Sequence, residues 1–73
     1  MITTDIIRIA SAGGGLHIDC TDQIVTDLVR IANAASVGGG YIFLENTAKL
    51  LVEEKVRIAS AGKGHVIFED VIQ

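Results

Sequence analysis

Proline and tryptophan are missing from this chain, cysteine occurs once, at Cys20, and Tyr41, Phe43 and Phe68 are the only aromatic residues. A lone cysteine excludes an intrachain disulfide framework. With so few aromatics, Ile, Val, Leu and Ala must fill the core. Basic residues are scarce too: six Lys and Arg stand against nine Asp and Glu, for a net charge of −3. Nothing here forms the basic stripe that neutralises a phosphate backbone, so a nucleic-acid partner is not expected. The longest unbroken apolar run, Tyr41–Leu44, has four residues, far below the ~20 that span a bilayer. No membrane partner is expected. The opening Met-Ile-Thr-Thr-Asp lacks the basic and long apolar stretches of a secretory signal, which makes the cytoplasm the expected setting.

What the chain does have is apolar residues and glycine. Apolar side chains make up 49% of its 73 residues, and mean hydropathy is +0.48. One domain of this size hides only part of its unfolded surface. So much apolar content therefore points to self-association.

One phrase recurs three times. Ala10–Gly15 reads Ala-Ser-Ala-Gly-Gly-Gly, Ala35–Gly40 Ala-Ser-Val-Gly-Gly-Gly, and Ala59–Gly64 Ala-Ser-Ala-Gly-Lys-Gly. The copies start 25 and 24 residues apart, a period typical of stacked-repeat architectures. A helical pattern precedes each phrase and a short apolar run follows it. Thr4 or Asp5 can cap a first helix with Ile6 and Ile9, or Ile6 and Ala10, on one face. Thr21 and Asp22 would cap a second, Asp22 to Val37, carrying Ile24, Leu28 and Ile31. Asn46 or Thr47 would open a third, with Leu50, Leu51, Val56, Ile58 and Ala59 on its buried side. Glycines Gly13, Gly14 and Gly15, then Gly38, Gly39 and Gly40, then Gly62 and Gly64 serve as structural turns that end the helices. The runs Leu16–Cys20, Tyr41–Glu45 and His65–Glu69 read as strands, and Asp70–Gln73 as the first turn of a fourth helix.

Strand–helix–strand connections of this length make parallel neighbours. The expected fold is α/β: three tandem helix–strand repeats of 24–25 residues in a two-layer, solenoid-like unit. Its parallel sheet runs in order 1-2-3 with the helices on one face. The single domain, 1–73, divides into units of about 1–20, 21–45 and 46–70, with 70–73 starting an incomplete one. Counting on from Gly64 to Gln73 and then from Met1 to Gly15 again gives 24 residues, so chains stacked head to tail would keep the phase.

Strand one alternates, with His17 and Asp19 as its polar pair, whereas strands two and three are apolar on both faces. Parallel strands read this way when both faces are buried, and a chain this short has no second helical layer. Counting each strand from its last glycine leaves Ile42, Leu44, Val66 and Phe68 on the open face as a protein interface. With strands two and three turned over, Tyr41, Phe43 and Ile67 are exposed instead.

Chemistry is sparse. The glycine runs follow helices, at the negative end of the dipole, whereas phosphate cradles precede them. Lys63 suits a helix C-terminus better than a phosphate. His17 and Asp19 are two ligands where zinc wants three or four. Cys20 shares a row with acidic Glu45 and Glu69 in this count and is expected to be structural. Ser11, Ser36 and Ser60 can bond back into the last helical turn. No catalytic residue, metal or cofactor is expected, and no enzyme. The expected function is a non-catalytic structural or protein-interaction module that self-associates through its sheet face, its chain ends or both. The alternative is a small acidic inhibitor, antitoxin or immunity-type protein that masks another protein.

Overall fold

A computed structural model describes residues 1–69. The expected fourth helix start, Asp70–Gln73, lies outside the described residues. Helices α1 (Thr3–Ser11), α2 (Val25–Gly38) and α3 (Val52–Gly62) alternate with strands β1 (Leu16–Asp19), β2 (Ile42–Glu45) and β3 (Val66–Phe68). The sheet is parallel, in order β1-β2-β3. Among the helices, α2 lies between α1 and α3.

The helices begin later or earlier than capping side chains suggest. Their N-cap positions are Ile2, Ile24 and Leu51, none of which offers a side-chain acceptor. Thr21 and Asp22 belong instead to a single 3-10 turn, Cys20–Asp22, in which the Asp19 carboxylate accepts the Thr21 N–H at 2.9 Å. Asn46 takes a left-handed conformation with φ of 58°. Thr47 is buried, and its carbonyl accepts the Leu50 N–H. For α3, the Glu54 carboxylate takes the Leu51 N–H at 2.8 Å, satisfying one of the donors a helix start leaves over.

The register corrects the strand count. Leu16 pairs with Ile42 and Val66, and Ile18 with Leu44 and Phe68. Gly15 therefore stands level with Tyr41 and His65, one residue off the glycine-based alignment. A slip of one residue exchanges the faces of a strand, so Ile42 and Leu44 point into the core and are fully buried. Val66 and Phe68 lie on the same face, half-buried and packed against the core. These four do not form the open face.

That core is continuous: Leu16, Ile18, Ile42 and Leu44 from the sheet meet Ile6, Ala10, Leu28, Ile31, Ala32, Ala35 and Ile58 from the helices. Alanine at the helix contacts lets α1 and α2 approach closely, and glycine completes the approach. A Cβ on Gly38 would lie 2.0 Å from the Ala10 carbonyl oxygen, and one on Gly40 would lie 2.6 Å from the Gly13 oxygen. Gly13, Gly39 and Gly64 have positive φ, and Gly62 is the buried last residue of α3. No helix among the described residues is long and apolar enough to cross a membrane.

Candidate functional site

Two kinds of surface are built by this arrangement: the open face of the sheet and the two flanks of the helical layer. With β1–β3 in the observed register, the open face carries three rows. The first holds Gly15, Tyr41 and His65, the second His17, Phe43 and Ile67, the third Asp19, Glu45 and Glu69. Tyr41 and Ile67 are exposed, as the alternative phase of the sequence reading has them, and Phe43 is half-buried.

Ring packing fills part of this face. The His17 and Phe43 rings stack with centroids 4.8 Å apart and planes 13° from parallel. Tyr41 and His65 lie 5.2 Å apart, tilted, and His65 Nδ1 donates to the Gly40 carbonyl at 2.8 Å. His17 does not pair with Asp19. Its Nδ1 lies 3.3 Å from Glu69 Oε1, while Asp19 Oδ1 is taken by the Thr21 N–H, the Thr21 hydroxyl at 2.6 Å and Asn46 Nδ2 at 3.0 Å. Those bonds, the Thr21 hydroxyl first, hold the Asp19 carboxyl down at about 2. Lys49 Nζ donates to the Thr21 and Gln23 carbonyls, tying the loop after β2 to the loop after β1. The polar cluster at the strand ends is a clamp between successive loops.

Reactive groups are not brought together. Among the described residues, no three His, Cys, Asp or Glu side chains are placed to hold a metal ion. Cys20 is fully buried, its Sγ 3.9 Å from the Ile18 carbonyl oxygen. Ser36 donates to the Asn33 carbonyl at 2.8 Å, a bond back into its own helix. Lys63 is the left-handed C-cap residue of α3.

On the helical flanks the third helix departs from its expected face. Leu51, Val56 and Ala59, expected on its buried side, are exposed, while Leu50 and Ile58 are buried. A signal for this exists at the helix starts. Ile2-Thr-Thr-Asp-Ile-Ile-Arg-Ile-Ala10, Ile24-Val-Thr-Asp-Leu-Val-Arg-Ile-Ala32 and Leu51-Val-Glu-Glu-Lys-Val-Arg-Ile-Ala59 each begin at an N-cap and align helix on helix. Val25, Val29 and Ala32 of α2 are half-buried or buried, yet their counterparts on α3, Val52, Val56 and Ala59, are all exposed. Conversely, Ile31 and Ile58 are fully buried, whereas their counterpart on α1, Ile9, is 37% exposed. Ile9 joins Met1, Asp5, Arg8 and Ala12 around a shallow concavity of about 530 Å³.

No protein family matches this chain, and neither a curated protein nor a solved structure matches it.

Proposed function

We propose that this chain is a non-catalytic module that works by associating with copies of itself, its three helix–strand units being tandem repeats of one stacking unit. The observation that carries this reading is the exposed aliphatic surface. Val52, Val56 and Ile9 stand exposed by 73, 56 and 37%, in a chain that buries Ile31, Ile42, Leu44 and Ile58 completely. Apolar residues gathered on two helix flanks mark interaction surfaces. Stacked repeats expose such surfaces at both ends unless polar capping units cover them. A cytoplasmic setting goes with this reading, with Cys20 as a buried thiol.

Sedimentation equilibrium over a series from low to high micromolar concentration tests it. Self-association predicts an average mass that climbs above 7.7 kDa as concentration rises. A constant monomer mass across the series rejects it.

A second reading is favoured by the carboxylates of Asp19, Glu45 and Glu69, which line the open face beside Phe43 and Ile67. A masking protein of the inhibitor, antitoxin or immunity type would use this face for a basic partner protein. Such a partner would co-purify with the native chain and be lost on Glu45→Lys, with the self-associated mass unchanged.

A further inference from the structure

We infer that copies of this chain stack head to tail, the α3 flank of one copy seated on the α1 flank of the next, so that the helical layer and the sheet run on across the junction. This rests on the self-association proposed above and names the surfaces that carry it.

Helix α2 has a helix neighbour on each side. The side that includes Ala32, which lies against Gly62 of α3, carries Val25, Leu28, Val29 and Ala32, all half-buried or buried. The matching residues of α1, Thr3, Ile6, Ile7 and Ala10, are half-buried or buried too, with Ile7 beside Arg30, Ala34 and Val37 of α2. On α3 the matching positions are Val52, Lys55, Val56 and Ala59, and three of the four are exposed. The opposite side shows the converse. Ile31 and Ala34 of α2, and Ile58 and Ala61 of α3, are buried or half-buried, but Ile9 and Ala12 of α1 are exposed. Each flank is thus one half of a contact that the chain already makes twice internally. The half missing from each end is present at the other.

The polar groups of the α1 flank are balanced, Asp5 and Arg8 both lining its concavity beside Ile9 and Ala12, so the aliphatic positions carry the pairing. In the sheet, β1 and β3 each have one strand neighbour and β2 has two. Stacking the helices would bring β3 of one copy beside β1 of the next in parallel, covering both edges. Such a contact is heterologous, so it closes a ring or continues as a filament rather than stopping at a two-fold dimer.

Mixing two flank variants tests the inference. Val56→Glu blocks the α3 flank alone, and Ile9→Glu blocks the α1 flank alone. A carboxylate set into an apolar contact should weaken association by about a hundredfold or more. Each variant by itself should sediment as a monomer at concentrations where the native chain is assembled. Mixed in equal amounts, they still hold one intact pair of flanks and should form a heterodimer that grows no further. Ile67→Glu, on the open sheet face, should assemble like the native chain. Circular dichroism and thermal melts of all three establish that each exposed substitution leaves the fold intact.

The inference is overturned if either flank variant alone assembles like the native chain. A folded mixture that stays monomeric also overturns it. Loss of assembly in Ile67→Glu, with both flank variants still assembling, would transfer association to the open sheet face and leave self-association standing. A native chain that is monomeric at every concentration removes both readings.

Discussion

Gly38 sits where α2 ends against the last turn of α1, and an alanine there would place its Cβ 2.0 Å from the Ala10 carbonyl oxygen and 2.8 Å from Ser11 oxygen. These are backbone atoms, so no side chain can turn away to relieve the overlap. Alanine would gain about 1 kcal/mol in helix propensity, but separating the two helices costs more. Gly38→Ala should lower stability by about 2 kcal/mol or more, as overpacked cores do, read from the midpoint of urea unfolding. Gly39 poses a different problem: its φ is +86° and nothing lies within 4 Å of an added Cβ. Gly39→Ala should cost about 1–2 kcal/mol through backbone strain alone, and Gly39→Asn less, since asparagine tolerates this conformation. Equal losses at the two positions would contradict the close approach of the helix ends. Asp19 supplies a prediction in pH. Its carboxyl is lowered from 3.8 to about 2 by bonds from Thr21 and Asn46, so the folded state favours its charged form. That stabilisation is complete above the unfolded value and is lost as pH falls from about 4 to 2. In Asp19→Asn, which cannot titrate, the stability lost over this interval should shrink in a chemical-denaturation series; an unaltered pH profile would count against the clamp.

At the scale of elements, the glycine-terminated helices and the strand order were legible, and the strand phase was not. A helix has to end where glycine runs interrupt its pattern, and connections of this length admit parallel neighbours. In β1 the polar pair His17 and Asp19 marks the open face, and that reading stands. In β2 and β3 both faces are apolar, so hydropathy alone could not orient them. Counting from the last glycine failed because Gly15 occupies the level of Tyr41 and His65. That single step reversed the assignment of Ile42, Leu44, Val66 and Phe68. Helix starts were misplaced for a related reason: Thr21, Asp22, Asn46 and Thr47 are good capping residues, yet they serve the loops that link strand to helix. An aliphatic N-cap followed at a fixed distance by Arg-Ile-Ala marks where each helix starts. It starts the helices 22 and 27 residues apart, out of step with the glycine spacing because α2 is the longest helix. The helix alignment carries a prediction of its own. Ile31→Ala empties a fully buried site and should cost about 2–5 kcal/mol. Ile9→Ala, at the matching but partly exposed place on α1, should cost about 1 kcal/mol in the dilute monomer. Comparable losses would mean that the α1 flank is already covered in the single chain.

Across the whole molecule, burial follows position in the two layers. Leu28, Ile31 and Ala32 of the central helix and Ile42 and Leu44 of the central strand are fully buried, while Ile9, Val52 and Val56 on the outer helices stay in contact with solvent. A small domain has little stability to spare, and covering both flanks would raise it as concentration rises. Thermal midpoints should therefore climb with concentration in the native chain and stay constant in Val56→Glu below the concentrations at which any other contact forms. The most direct measurement is backbone hydrogen exchange, resolved by residue, below and above the onset of assembly. The account predicts that amides of Leu16–Asp19 and Val66–Phe68 exchange more slowly in the assembled sample, while Ile42–Glu45, already flanked by strands on both sides, changes least. Edge strands that exchange at the same rate in monomer and assembly would contradict it.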